Sequence, residues 1–306
     1  MPQKVSISLQ TLDVLCVGHA SYDLVFSVPH HPQADEKIVA DDLLGCGGGP
    51  AANAAVTVAK LGYRAGFCGY LGNDVYGDSH LHELRAHGVD TGLVVRGTSP
   101  TPLSTVLVKP DGKRALINYK GQTRALPSGS IDFTDVKAKV LLFDGHEPLL
   151  SLSLLDSLKQ PLPSVLDAGS VHEGTLALLD KVEYLVCSEK FARQYAGDEN
   201  QALAKLAGLA PVVVITLGEH GLIWQRGQQR GSLDAPPIVA MDTTGAGDAF
   251  HGAFAAGLAA GLEWTALLQY ASVAGAYCCT QMGARPGLPN QQQHHKLLAD
   301  WLGSHV

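Results

Sequence analysis

The run Asp242-Thr243-Thr244-Gly245-Ala246-Gly247-Asp248 sets a carboxylate at the end of a glycine-bearing turn. An apolar, strand-like stretch, Ile238 to Met241, precedes it, and a small-residue stretch with helical character, Ala249 to Leu262, follows. Strand, turn and helix in that order aim free backbone N–H groups and the positive end of a helix dipole at an anion. An acid at that end repels an anion that is merely bound. Asp248 makes sense if the anion is a phosphate and the acid accepts a proton from the group attacking it. Taken alone, the run also reads as a plain glycine turn with Asp near a helix start.

A second run changes the balance. Gly47-Gly48-Gly49-Pro50-Ala51-Ala52-Asn53 leads into a small-residue helical stretch, Ala54 to Leu61. Three residues without side chains let a ligand approach the backbone, and Asn53 offers both a donor and an acceptor. Together the two runs resemble the paired signatures of the ribokinase/PfkB family of carbohydrate kinases. Val17-Gly18 followed by Asp23 resembles the family's first strand and sugar-binding Asp. Thr216-Leu217-Gly218-Glu219-His220-Gly221 resembles its nucleotide-side segment, and Gly283 to Gly287 its C-terminal loop. The resemblance spans essentially the whole chain.

The resemblance implies an α/β, ribokinase-like fold: a doubly wound, mostly parallel sheet with a small β-sheet lid, in a single domain over residues 1–306. It implies transfer of the γ-phosphate of ATP to a sugar hydroxyl. Asp248 is then the base, and the N–H groups of Gly245, Ala246 and Gly247 hold the transferred phosphoryl group. Asp23, Gly48, Gly49 and Asn53 form the sugar pocket. Thr216, Gly218, Gly221 and Thr244 face ATP. Asp242, Thr244, Cys278, Gln281, Gly283 and Gly287 match the loops that hold a monovalent cation such as K⁺; Gly287 lacks the hydroxyl usual at that place. Mg²⁺ is implied by the phosphate charge. The family's Asn-x-x-Glu motif falls on Ser188 to Phe191, so metal handling differs here.

The Gly-Gly-Gly-Pro form and Ile117-Asn118-Tyr119 look closest to the ketohexokinase and sulfofructose kinase branch. Lys37 and Asn118 match positions that hold the sulfonate in the latter, with His146 where an Arg completes that site. His146 and Glu147 follow a strand end and either contact sugar hydroxyls or belong to a solvated loop. A ketose-like sugar with a primary hydroxyl is the favoured acceptor. A nucleoside kinase of the same fold and a non-catalytic sugar sensor are the rivals; a sensor is expected to lose Asp248 or the glycine run. The chain has neither the Gly-x-x-x-x-Gly-Lys-Ser/Thr run of P-loop kinases nor a properly spaced Gly-x-Gly-x-x-Gly.

The elements that must position these groups are legible as alternation. Val140 to Phe143, Ser164 to Leu166, Tyr184 to Cys187 and Val212 to Thr216 read as buried strands, with helical segments Leu149 to Leu158 and Gln201 to Leu209 between them. That pattern predicts a parallel sheet covered on both faces, with ligands beyond the carboxyl ends of its strands. Tyr22 to Val28, Lys37 to Leu44, and a hairpin of Ser104 to Lys109 and Lys113 to Tyr119 around Asp111-Gly112 break the pattern. They read as the small sheet, roughly residues 22–44 and 100–120.

The chain has 306 residues, 17% charged and 46% hydrophobic, with a formal net charge of -7. That is ample for a core, and without a basic stripe it argues against nucleic acid. Its six cysteines have no zinc spacing, and Cys278 and Cys279 read as packing groups, which fits a reducing cytoplasm. The first residues carry one Lys and no long apolar core, unlike a secretory signal, and no apolar run is long enough to span a bilayer. A homodimer through the lid is the expected assembly.

Overall fold

A computed structural model describes residues 11–303; the N-terminal residues read above against a secretory signal lie outside this range. Thirteen strands and ten helices alternate in this part of the chain. They run β1 (Leu12–Val17), β2 (Ser21–Ser27), β3 (Asp42–Gly48), α1 (Pro50–Lys60), β4 (Ala65–Gly72), α2 (Val75–Ala86), β5 (Asp90–Gly97), β6 (Leu103–Val108) and β7 (Arg114–Tyr119). The second half continues β8 (Ala138–Phe143), α3 (Pro148–Ser157), β9 (Ser164–Ala168), α4 (Glu173–Leu178), β10 (Tyr184–Ser188), α5 (Glu189–Ala196), α6 (Glu199–Leu206) and β11 (Val212–Thr216). After β12 (Leu222–Arg226) and β13 (Gln229–Leu233) come α7 (Ala246–Ala259), α8 (Trp264–Cys278), α9 (Ala284–Gly287) and α10 (Gln291–Gly303).

The large sheet has nine strands in the order β13-β12-β11-β10-β9-β8-β1-β4-β5. It is parallel from β5 to β11, and β12 and β13 add antiparallel at one edge. Its central strands, β1 and β8 to β11, are mostly apolar because both faces are covered, while the edge strand β13 is polar and largely exposed. Val14 and Cys16 point into one core with α1, α7 and α8, while Leu15 and Val17 point into the other with α3, α5 and α6. β8 divides the same way, Val140 and Leu142 against Leu141 and Phe143. β1 lies between β4 and β8, where the strand order reverses. A crevice therefore opens past the carboxyl ends of β1 and β8, the usual ligand position in such sheets.

The small residues of α1 and α7 have a packing reason. A Cβ on Gly252 would sit 2.6 Å from the Ala54 carbonyl oxygen, so the two helices touch backbone to backbone. That contact brings Asn53, on α1, to the first turn of α7.

β2, β3, β6 and β7 form a separate four-stranded sheet, in the order β3-β2-β6-β7, rather than extending the large one. Two sequence expectations shift. The strand expected at Lys37 to Leu44 runs instead from Asp42 to Gly48 and includes two of the three glycines. Glycine is a poor strand former, but here a side chain has no room: a Cβ on Gly48 would fall 2.2 Å from the Asp23 carboxylate, and one on Gly47 2.4 Å from the His80 ring. Ile238 to Met241 is not a strand. It is an irregular segment with Val239 86% exposed, and it is tied down by the N–H groups of Met241 and Asp242 donating to Cys279 O. Among the described residues no helix is long and apolar enough to cross a membrane.

Candidate active site

The two glycine-rich runs meet. Asn53 Nδ2 donates to Asp248 Oδ2 across 2.7 Å, while Asn53 Oδ1 is buried with no hydrogen-bond partner. Asp248 lies in the first turn of α7, after Gly245, whose left-handed backbone (φ 79°) lets the chain enter the helix. A side chain on Gly245 would also strike Ala284. Gly247 is exposed, and a Cβ there meets nothing within 4 Å, so the turn faces open space. Ala246 N–H donates within the turn to Thr243 O at 3.3 Å. Burial pushes the Asp248 carboxyl above its ordinary range and the charges of Asp144 and Asp23 add to this; the Asn53 amide and His251 work against it.

Asp23 stands on β2 and accepts from Ser21 Oγ at 2.9 Å; burial raises its carboxyl. The register puts Cys46, Asp23, Ser104 and Asn118 in one row across the small sheet, and paired residues share a face. Asn118 is therefore on the Asp23 face. Lys37 is not: it is exposed in the irregular segment before β3. Gly49 (φ 94°) passes so close to His19 O and Ala20 that only glycine fits. The Gly47 peptide is held from both sides, its N–H by Glu83 Oε2 (2.6 Å) and its oxygen by Arg285 Nε (3.1 Å).

His146 stacks on His172 (ring centroids 4.8 Å apart, 10° between planes) and lies 5.1 Å from the His19 ring. Glu147 turns away. It is buried, accepts the Leu126 N–H at 2.6 Å, and burial lifts its carboxyl to about 7. Beneath these lies Asp144, at the carboxyl end of β8. Its Oδ2 accepts the N–H groups of His19 (2.7 Å) and Ala51 (3.1 Å), and its Oδ1 that of His146 (2.9 Å). Sequence reasoning passed over Asp144, Arg285, Glu83 and Ser104. A lone acid directly after the apolar run Val140–Phe143 was the available signal for Asp144.

On the nucleotide side, Thr216 ends β11, Gly218 (φ 59°) opens a single 3-10 turn, and Gly221 (φ 78°) closes it against Leu233 O. Asp242, Thr244, Cys278, Gly283 and Gly287 do come together, while the Gln281 side chain is exposed. Asp242 Oδ1 accepts from Thr244 N (2.9 Å) and Oγ1 (2.6 Å), and its Oδ2 from Gly283 N (2.8 Å). Arg114 of β7 supplies a positive charge to this group: its Nη1 donates to Asp242 Oδ1 at 2.8 Å and to the Thr244 hydroxyl. Burial would raise the Asp242 carboxyl, but Thr244, Gly283 and the Arg114 charge hold it below its ordinary range. Cys278 Sγ faces Thr244 O and Ala284 O, so these residues as arranged do not fit K⁺.

Mg²⁺ finds no protein cage either. Ser188 caps α5 by accepting the Phe191 N–H at 3.0 Å, Phe191 is fully buried, and no group of three His, Cys, Asp or Glu that could hold a metal occurs among the described residues. A cleft of about 370 Å³ opens where the hairpin tip Pro110 to Gly112 meets Met241, and none of the predicted site residues line it.

Comparisons with known proteins identify the family and the fold. The family model described as pfkB family carbohydrate kinase matches residues 11–291. The chain is 26% identical over 293 residues to a ribokinase of Bacillus subtilis, covering 94% of this chain and 99% of the relative. A probable fructokinase of Arabidopsis thaliana is 29% identical over 286 residues, covering 82% and 87%. Among solved structures, Arabidopsis thaliana ribokinase complexed with ribose and ATP superposes with a TM-score of 0.83 at 27% identity, over 94% of this chain and 99% of that one. Ribokinase from Thermotoga maritima does so with the same TM-score at 25% identity and the same coverage. With a ribokinase-like fold, both glycine-rich signatures in contact and a family model over most of its length, this chain belongs to the pfkB family of carbohydrate kinases and is an ATP-dependent sugar kinase.

Proposed function

We propose that the chain transfers the γ-phosphate of ATP to a primary hydroxyl of a ketose-like sugar or sugar derivative, with Asp248 as the general base. The observation that carries this is the 2.7 Å contact of Asn53 with Asp248, which joins the sugar-side and phosphate-side runs beside Asp23. The acceptor sugar lies between Asp23, Asn118 and Asn53, over Gly48 and Gly49. His146 lines its far end. Asp248 takes the hydroxyl proton as that oxygen attacks. The N–H groups of Gly245 to Gly247 and the dipole of α7 receive the charge on the transferred group. Thr216, Gly218, Gly221 and Thr244 hold the nucleotide. Mg²⁺ held by the ATP phosphates themselves would neutralise part of their charge.

The described chain forms one domain, and the small sheet acts as the lid. Its outer face carries Leu43 (54% exposed), Ile117 (65%) and Tyr119 (54%), in rows that alternate with the Asp23 row. That apolar face supports a homodimer through the lid. Six free cysteines support a cytoplasmic location.

A screen of ketoses, aldopentoses, sugar acids and nucleosides, read by ADP release, tests the substrate class, and a nucleoside as best substrate would overturn it. Asp248→Asn is expected to lower kcat at least ~10²-fold while ATP still binds. Activity within a few-fold of the parent removes Asp248 from the role.

A further inference from the structure

His251 sits one turn after Asp248 on α7 and is 3% exposed; Asp167, at the end of β9, is 6% exposed. His251 Nδ1 lies 2.5 Å from Gly247 O and 3.3 Å from Asp167 Oδ2, and its Nε2 lies 3.2 Å from Val186 O. Both ring nitrogens thus face a backbone carbonyl. A carbonyl only accepts, and a neutral imidazole has one N–H, so a neutral ring points a lone pair at one of these oxygens. An imidazolium satisfies both, and the Asp167 carboxylate balances its charge.

We propose that His251 and Asp167 form a buried charge pair beneath the anion-hole turn, and that the imidazolium holds Asp248 in the ionised form that accepts the proton. This rests on Asp248 being the base. His251 is a positioning residue: it fixes the Gly247 carbonyl, and with it the turn whose N–H groups face the phosphate. Its charge opposes the other carboxylates at the strand ends. Asp144 acts on both Asp167 and Asp248, and Asp23 adds to the load on Asp248. From β10 Asp167 acts on the buried, neutral Cys187 thiol, and from α1 the uncharged Asn53 amide donates to Asp248. Burial favours the neutral forms, pushing His251 down and Asp167 up. The carbonyls of Gly247 and Val186, together with the Asp248 charge, pull His251 the other way without outweighing burial, so it is the two carbonyl contacts and the facing carboxylate that argue for the charged ring.

The test combines pH profiles with a direct reading of the ring. In His251→Asn the acid limb of kcat moves up by about one pH unit, because Asp248 loses its neighbouring positive charge. In Asp167→Asn the imidazolium loses its balancing charge, which raises the limb, while Asp248 loses a repelling carboxylate, which lowers it, so the limb moves up by less than in His251→Asn or not at all. The KM for ATP stays within about three-fold in both, as expected when ground-state binding is intact. Selective ¹⁵N-histidine NMR of the parent at pH 7.5 shows both His251 nitrogens protonated, which holds even where a variant fails to fold. A single-protonated ring, an unmoved limb in His251→Asn, or upward shifts of the same size in both variants overturns the proposal. Full activity in Asp248→Asn instead overturns the base assignment and leaves the NMR result standing on its own.

Discussion

At the scale of single residues, the site combines glycines whose side-chain positions are taken by neighbours with one glycine whose position is open. Gly48 makes room for Asp23, and Gly47 for His80 and Arg285. Gly247 is different: it is exposed and nothing in the protein occupies its side-chain position. Gly247→Val is therefore expected to fold, with a melting temperature within a few degrees of the parent, yet to lose phosphoryl transfer because the branched side chain occupies the phosphate's approach. A folded variant with normal kcat would remove this turn from the anion hole.

At the scale of elements, α1 and α7 form one unit whose close approach sets the distance between Asn53 and Asp248. Gly252→Ala tests this. In a free helix the exchange gains about 1 kcal/mol. Here the new Cβ meets the Ala54 carbonyl 2.6 Å away, and backbone gives way poorly. Overpacking of about 1–3 kcal/mol wins. Chemical denaturation should show a net loss, and kcat should fall more than KM rises. Much of this level was legible in sequence. Val140–Phe143 and Val212–Thr216 were visible because a strand covered on both faces is apolar at every position. The end of β3 was misplaced because the glycines at 47 to 49 argue against a strand until Asp23 and His80 are known to lie against them. Ile238–Met241 was apolar yet exposed, held by Cys279 O rather than by a sheet. Arg114 was unreadable as a partner of Asp242, since 128 residues separate the two and only the fold joins them.

At the scale of the whole molecule, pH and assembly are the accessible handles. The folded Glu147 carboxyl titrates at about 7, against an ordinary value of 4.5. Between these values the folded chain holds a proton that the unfolded chain has released, so stability falls as pH rises from about 4.5 to 7 and levels off above. Glu147→Gln stays neutral and still accepts from Leu126. It should be more stable than the parent at pH 8 by about 1–3 kcal/mol and equal to it near pH 4, by denaturant titration at both. Light scattering should find a dimer, and Ile117→Lys should shift it toward monomer by placing a charge on the outer face of the lid.

Asp144 is bound by three amides that belong to three separate stretches of chain: the segment after β1, the start of α1 and the segment after β8. A single carboxylate with three obligations cannot release one segment alone without leaving a buried charge short of a donor. The amides of His19, Ala51 and His146 should therefore exchange with deuterium together, with one shared opening free energy. The crevice then moves as a single body, in which a contact made at any one of the three segments is felt by the other two.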